Sequence, residues 1–109
     1  MATTVIGNEC FAGALGGLMS MRYVGSFAPA DYANEVSSAE AIKTEFLAQN
    51  TLLNTPLTDT ANANIGPVVC EMARAAIVNS GATSITAADY VNYAKQIVAA
   101  SYAAIAGLT

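Results

Sequence analysis

Side chains able to do chemistry are scarce in this sequence. Its 109 residues hold no histidine, four bases, eight acids and two cysteines, Cys10 and Cys70. Without histidine, neither a Ser-His nor a Cys-His nucleophile pair can form, and no zinc site can use an imidazole. The thiols stand sixty positions apart with no Cys-x-x-Cys, and two cysteines alone do not complete a metal site. They are expected as buried free thiols, with a single disulfide as the alternative. Cys70 adjoins Glu71 inside a helical segment, where a thiolate is disfavoured. Asp31 and Glu35 are four residues apart and can share a helix face. Paired carboxylates can bind metal or share a proton, but on an acidic chain these two read as solvated surface. Neither Lys43 nor Lys95 stands in a recognised Ser-Lys or Tyr-Lys spacing. There is no P-loop lysine, no Gly-x-Gly-x-x-Gly and no Gly-x-Ser-x-Gly elbow. The residues therefore predict no enzyme, no catalytic residue, no cofactor and no metal.

The composition points elsewhere. The length suits one domain, 1–109. Apolar residues make up 54% and charged residues only 11%, against about 25% charged in an average soluble domain. Twenty-three residues are alanine, and the formal charge is −4. Such apolar content excludes a disordered chain. Four bases are too few for a protein whose affinity comes from neutralising phosphates, so nucleic acid is not an expected partner. With twelve charges for the whole chain, Ala, Gly, Ser, Thr and Asn must cover much of the exterior. A surface of that kind loses little hydration on contact, and we read it as one made to pack against other protein.

A membrane span needs about 20 consecutive apolar residues. The best run, from Cys10 to Met21, is shorter and holds three glycines and a serine. No base precedes Arg22, so neither a secretory signal nor a surface-lying anchor has its basic flank. The expectation is no membrane and no signal peptide, with a virion or cytoplasmic location.

Periodicity predicts an all-α domain of about four helices with long loops. Residues 1–7 read as a short extended arm. The first helix is expected from about Glu9 to Val24, capped by Asn8, with Phe11, Leu15, Leu18 and Met21 or Arg22 along one side and Gly25 after its end. Gly13, Gly16 and Gly17 each weaken a helix by about 1 kcal/mol relative to alanine. The spacing Gly13-x-x-x-Gly17 permits close approach of another backbone. Residues 25–36 read as a loop with one helical turn at Pro29. The second helix is expected to open at Ser37, where Ser37-x-x-Glu40 is a capping box. Ala39, Ile42, Phe46 and Leu53 share a face, and the helix should fade by Asn54 ahead of Pro56. Residues 54–66, rich in Asn and Thr, read as a long loop that touches partners. The third helix is expected to start at Pro67, with Val69, Met72, Ala73 and Ala76 in one stripe beside Ile77, and Gly81 after its end. Thr86-x-x-Asp89 resembles a second capping box. The last helix should run from Ala87 to Ala106, with stripes Val91, Ala94, Val98, Tyr102, Ile105 and Tyr90, Tyr93, Ile97, Ala104.

The third face of that last helix starts polar, at Asn92, Lys95 and Gln96, then becomes Ala99, Ala103 and Ala106. A solvated helix end normally carries charge, preferably basic; bare alanine implies cover by this fold or by a neighbour. Tyr90 and Tyr93 add rings of the kind enriched at interfaces. Tyr90, Tyr93, Ala99, Ala103, Ala106, Gly13 and Gly17 are therefore the candidate protein-interface residues. The expected role is a structural subunit, oligomeric or bound within a larger assembly of protein subunits. The alternative is a small soluble adaptor or inhibitor that binds one protein through its last helix. Small, histidine-free, Ala/Thr/Asn-rich chains with a short arm resemble, in style and without a shared motif, the minor head or decoration proteins of tailed phages. That resemblance implies a virion component of the decoration or cement type.

Overall fold

In the computed structural model, residues 3–20, 32–59, 64–80 and 90–108 are described, and the statements below concern these. They form four helices and no strand: α1 (Thr4–Ser20), α2 (Tyr32–Asn50), α3 (Ile65–Ser80) and α4 (Tyr90–Leu108). The all-α expectation holds. Helix α1 lies against α2 and α3, and α4 lies against the same two. One core runs between them, built on Ile6, Cys10, Ala14 and Leu18 of α1, Ile42 and Phe46 of α2, Val69 and Ile77 of α3, and Ile97 and Ile105 of α4. Among the described residues, no helix is long and apolar enough to cross a membrane.

Several boundaries correct the sequence expectations. The arm is not extended from Thr4 onward; it is the first turn of α1. Asn8 consequently lies within the helix instead of capping it. The cap comes from far along the chain, where one carboxylate oxygen of Asp59 accepts the amides of Val5 (3.0 Å) and Ile6 (3.1 Å). The first amides of a helix have no intrahelical acceptor, and Asp59 supplies one from the segment that follows α2. The buried side of α1 also differs. It is Ile6, Gly7, Cys10, Ala14, Gly17 and Leu18, while Phe11 and Leu15 are only half-buried. Because α1 is apolar all round, periodicity alone does not select a face. Small side chains select it, by letting a neighbour come close.

Helix α2 starts no later than Tyr32, so Ser37 is an exposed position within it and the Ser37-x-x-Glu40 box does not open it. No glycine or proline separates Tyr32 from Ser37. Burial of Glu35, Ala39, Ile42 and Phe46 on one side extends the helix toward its N-terminus. At the other end α2 stops at Asn50, and Leu53 belongs to the turn that follows instead of the helical stripe. Of the segment between α2 and α3, 51–59 and Asn64 are described. Helix α3 begins two residues before Pro67, which falls in the first turn, where no amide donor is required. Asn64 precedes it with φ 53°, a left-handed conformation that asparagine tolerates better than most residues. Val69, Ala73 and Ile77 are buried along the expected stripe, with Met72 and Ala76 half-buried beside it.

Helix α4 buries Ala94, Ile97, Val98 and Ile105 of the expected stripes, and also Ser101, which belongs to neither. The Ser101 hydroxyl donates to the Ile97 carbonyl at 2.7 Å. The expected features at Asp31, Gly25, Pro29, Gly81, Thr86 and Asp89, and the side chains of Tyr90, Val91, Tyr93 and Ala106, lie outside the described residues.

Candidate protein-docking surface

The few reactive groups are placed where reactivity is suppressed. Cys10 is buried in the core and reduced. Burial pushes its thiol up to about 12, against a smaller opposing pull from Lys43, so the nucleophilic thiolate is absent at neutral pH. Cys70 is half-buried and also free. Glu35, expected at the surface, is buried in the first turn of α2. Its prospective partner Asp31 lies outside the described residues. Among the described residues, no cluster of three or more Cys, Asp or Glu side chains gathers around a point that could hold a metal ion.

Gly13 and Gly17 face inward, onto α3. A Cβ on Gly13 would collide with the carbonyl of Gly66, and one on Gly17 would stand 2.6 Å from the carbonyl oxygen of Cys70. Gly13 opposes Gly66 and Gly17 opposes Cys70, so α1 and α3 run in the same direction at this contact. The glycine spacing does mark a close backbone approach, and the approach described is within the chain. A shallow notch of about 440 Å³ remains beside it, bordered by Glu9, Gly13, Asn64 and Cys70. Glu71 and Arg74 form an exposed pair at 3.5 Å, on the opposite side of α3 from its core stripe.

The larger concavity lies between the C-terminal end of α2 and α4, with a volume of about 640 Å³. Glu45 and Gln49 form the α2 wall, Lys95, Val98, Ala99 and Tyr102 the α4 wall, and Leu52 and Leu53 stand where the chain leaves α2. Phe46 and Tyr102 fasten the two helices beneath it. Their rings stack with centroids 4.7 Å apart and an interplanar angle of 15°, and the Tyr102 hydroxyl donates to the Phe46 carbonyl at 2.8 Å. Burial, and secondarily Cys10, raise the Tyr102 phenol well above its ordinary range, so it stays a hydrogen-bond donor. On the α2 wall, the Gln49 amide donates to Glu45 at 3.0 Å.

Leu52 is 75% exposed and Leu53 37%, large apolar groups that a folded chain normally hides. Their presentation is fixed by Asn50, which is only 3% exposed. Its side-chain amide donates to the Leu57 carbonyl at 2.9 Å, and its oxygen accepts the Leu57 amide at 2.8 Å. The Thr51 hydroxyl donates back to Ala48 at 2.7 Å. The loop expected to touch partners is therefore tied partly to its own fold, by Leu57 and by Asp59.

Of the candidate interface residues, Ala99 lines this groove and is exposed, and Ala103 is exposed one turn on. Leu52 and Leu53 were not among them. Their sequence signal is the pair of leucines between Thr51 and Asn54, which a helical face running through Leu53 conceals and which the end of α2 at Asn50 exposes. No family model matches the chain, and no curated protein or solved structure matches it.

Proposed function

We propose that this protein is a non-enzymatic structural subunit that works by packing against other protein through the groove between the end of α2 and α4. The exposed apolar floor and rim of that groove carry the reading: Leu52, Leu53, Ala99 and Tyr102 present carbon to water beside only two charges, Glu45 and Lys95. Exposed apolar side chains gathered on one groove and rimmed by polar groups suit a protein contact. Low charge over the whole chain supports the same reading, because little hydration is lost when the surface is covered. The assembly we favour is a virus particle in which the chain is a minor, decoration-type component. The composition supports that choice.

The test is sedimentation of a lysate from the native source, with the chain quantified by mass spectrometry in each fraction. It should co-sediment with a large particle at a fixed ratio to the particle's main protein, and Leu52→Glu should release it to the low-mass fractions. Recovery of all wild-type chain in the low-mass fractions would overturn the reading.

A further inference from the structure

We propose that the groove is occupied by a second copy of the same chain, related by a two-fold axis. This rests on the reading of the groove as a docking surface and adds the identity of the occupant. In a two-fold contact, whatever residue i offers residue j, j also receives from i. A surface suits such a contact when it carries both halves of each interaction, and this one does.

The first pair is electrostatic. The chain has only four bases. Arg74 is engaged with Glu71, whereas Lys95 is exposed on the α4 wall with no carboxylate partner among the described residues. Glu45 stands on the opposite wall of the same groove. A two-fold axis running along the groove would lay the α2 wall of each copy on the α4 wall of the other and set Glu45 against Lys95 twice. The second pair is steric. Leu52 is an exposed knob, and Ala99 and Ala103 are exposed positions where the α4 surface is reduced to methyl groups. Each copy supplies one knob and one shallow seat. A copy of the chain supplies both pairs by symmetry.

The experiment is light scattering on size-fractionated protein over a concentration series, with Glu45→Lys, Lys95→Glu, and an equimolar mixture of the two. Wild type should reach twice 11.1 kDa. Each single variant places like charges at both contacts and should raise the dimer Kd about tenfold or more. Mixing the variants makes both contacts attractive again, so the mixture should return to the double mass. Ala99→Trp fills the seat without altering charge and should also give monomer; circular dichroism confirms that each variant is folded. Wild type that stays at the monomer mass up to about millimolar concentration, where even a weak contact is populated, would overturn the proposal. So would a dimer indifferent to the charge variants and to their mixing. A monomer that still co-sediments with particles through Leu52 would remove the second copy and keep the assembly role. A two-fold dimer found in no particle would do the reverse.

Discussion

Asn50 grips Leu57 at both backbone groups, donating to its carbonyl at 2.9 Å and accepting its amide at 2.8 Å. This mimics a ladder rung between strands, made by one side chain. It closes the segment between the two residues into a small loop and holds Leu52 and Leu53 outward. Asn50→Ala removes both partners from groups that fold against the core, which costs about 1–3 kcal/mol. Urea unfolding should show that loss. Hydrogen exchange should show faster exchange at the Leu57 amide. An unchanged midpoint would mean that the loop closes without the clamp.

Gly13 and Gly16 are three residues apart on one helix, yet they make opposite predictions. A methyl group on Gly13 meets the Gly66 carbonyl, while one on Gly16 meets nothing within 4 Å. Gly13→Ala should force α1 and α3 apart and destabilise by about 1–3 kcal/mol, the range for overpacking. Gly16→Ala should gain up to about 1 kcal/mol from helix propensity alone. Thermal unfolding of the two variants decides it. Shifts of the same sign would mean that the glycines act only through propensity.

These pairs also show where sequence reasoning reached and where it stopped. Gly13-x-x-x-Gly17 was legible because close approach leaves a spacing in one segment. The stripes of α3 and α4 were legible because polar residues mark the other face. The buried side of α1 was not, since Phe11 and Leu15 are as apolar as Ile6 and Leu18 and only packing against α2 and α3 distinguishes them. The start of α1 was hidden for a different reason: its cap is Asp59, more than fifty residues away. The turn at Leu52 was hidden because Asn50 ends the helix through a contact with Leu57 that no pattern within α2 announces. Ala99 and Ala103 were legible as interface candidates because a face of bare alanine is unusual, whereas the groove they border needed the helix packing to exist.

Asp59 gives a test of that remote cap. Its carboxylate accepts two amides at the start of α1. Asp59→Ala should cost about 0.5–2 kcal/mol, the range for loss of a helix cap. Asp59→Asn keeps an acceptor oxygen and gives up only the interaction of the charge with the helix dipole, about 0.3–1 kcal/mol. Exchange at the Val5 and Ile6 amides should rise in the alanine variant more than in the asparagine one. Equal exchange in both would mean that charge, not the acceptor, does the capping.

The Cys10 thiol should make stability depend on alkaline pH. Its pKa rises on folding from 9.0 to about 12, chiefly because burial disfavours the thiolate. Between those values the native state holds a proton that the unfolded chain has released, and stability falls with pH wherever the native state binds more protons. The contribution is therefore fully present below pH 9 and is lost as pH rises through about 12. Tyr102, raised in the same direction, adds to the slope. Cys10→Ala should flatten the fall in unfolding free energy between about pH 9 and 11 without abolishing it, because the tyrosine remains. Thiol labelling supplies an independent readout. In the native protein at pH 8, a disulfide reagent should modify Cys70, which is half-buried, and spare Cys10 until denaturant is added. Equal native labelling of both thiols would show that the core around Cys10 opens far more often than its packing implies.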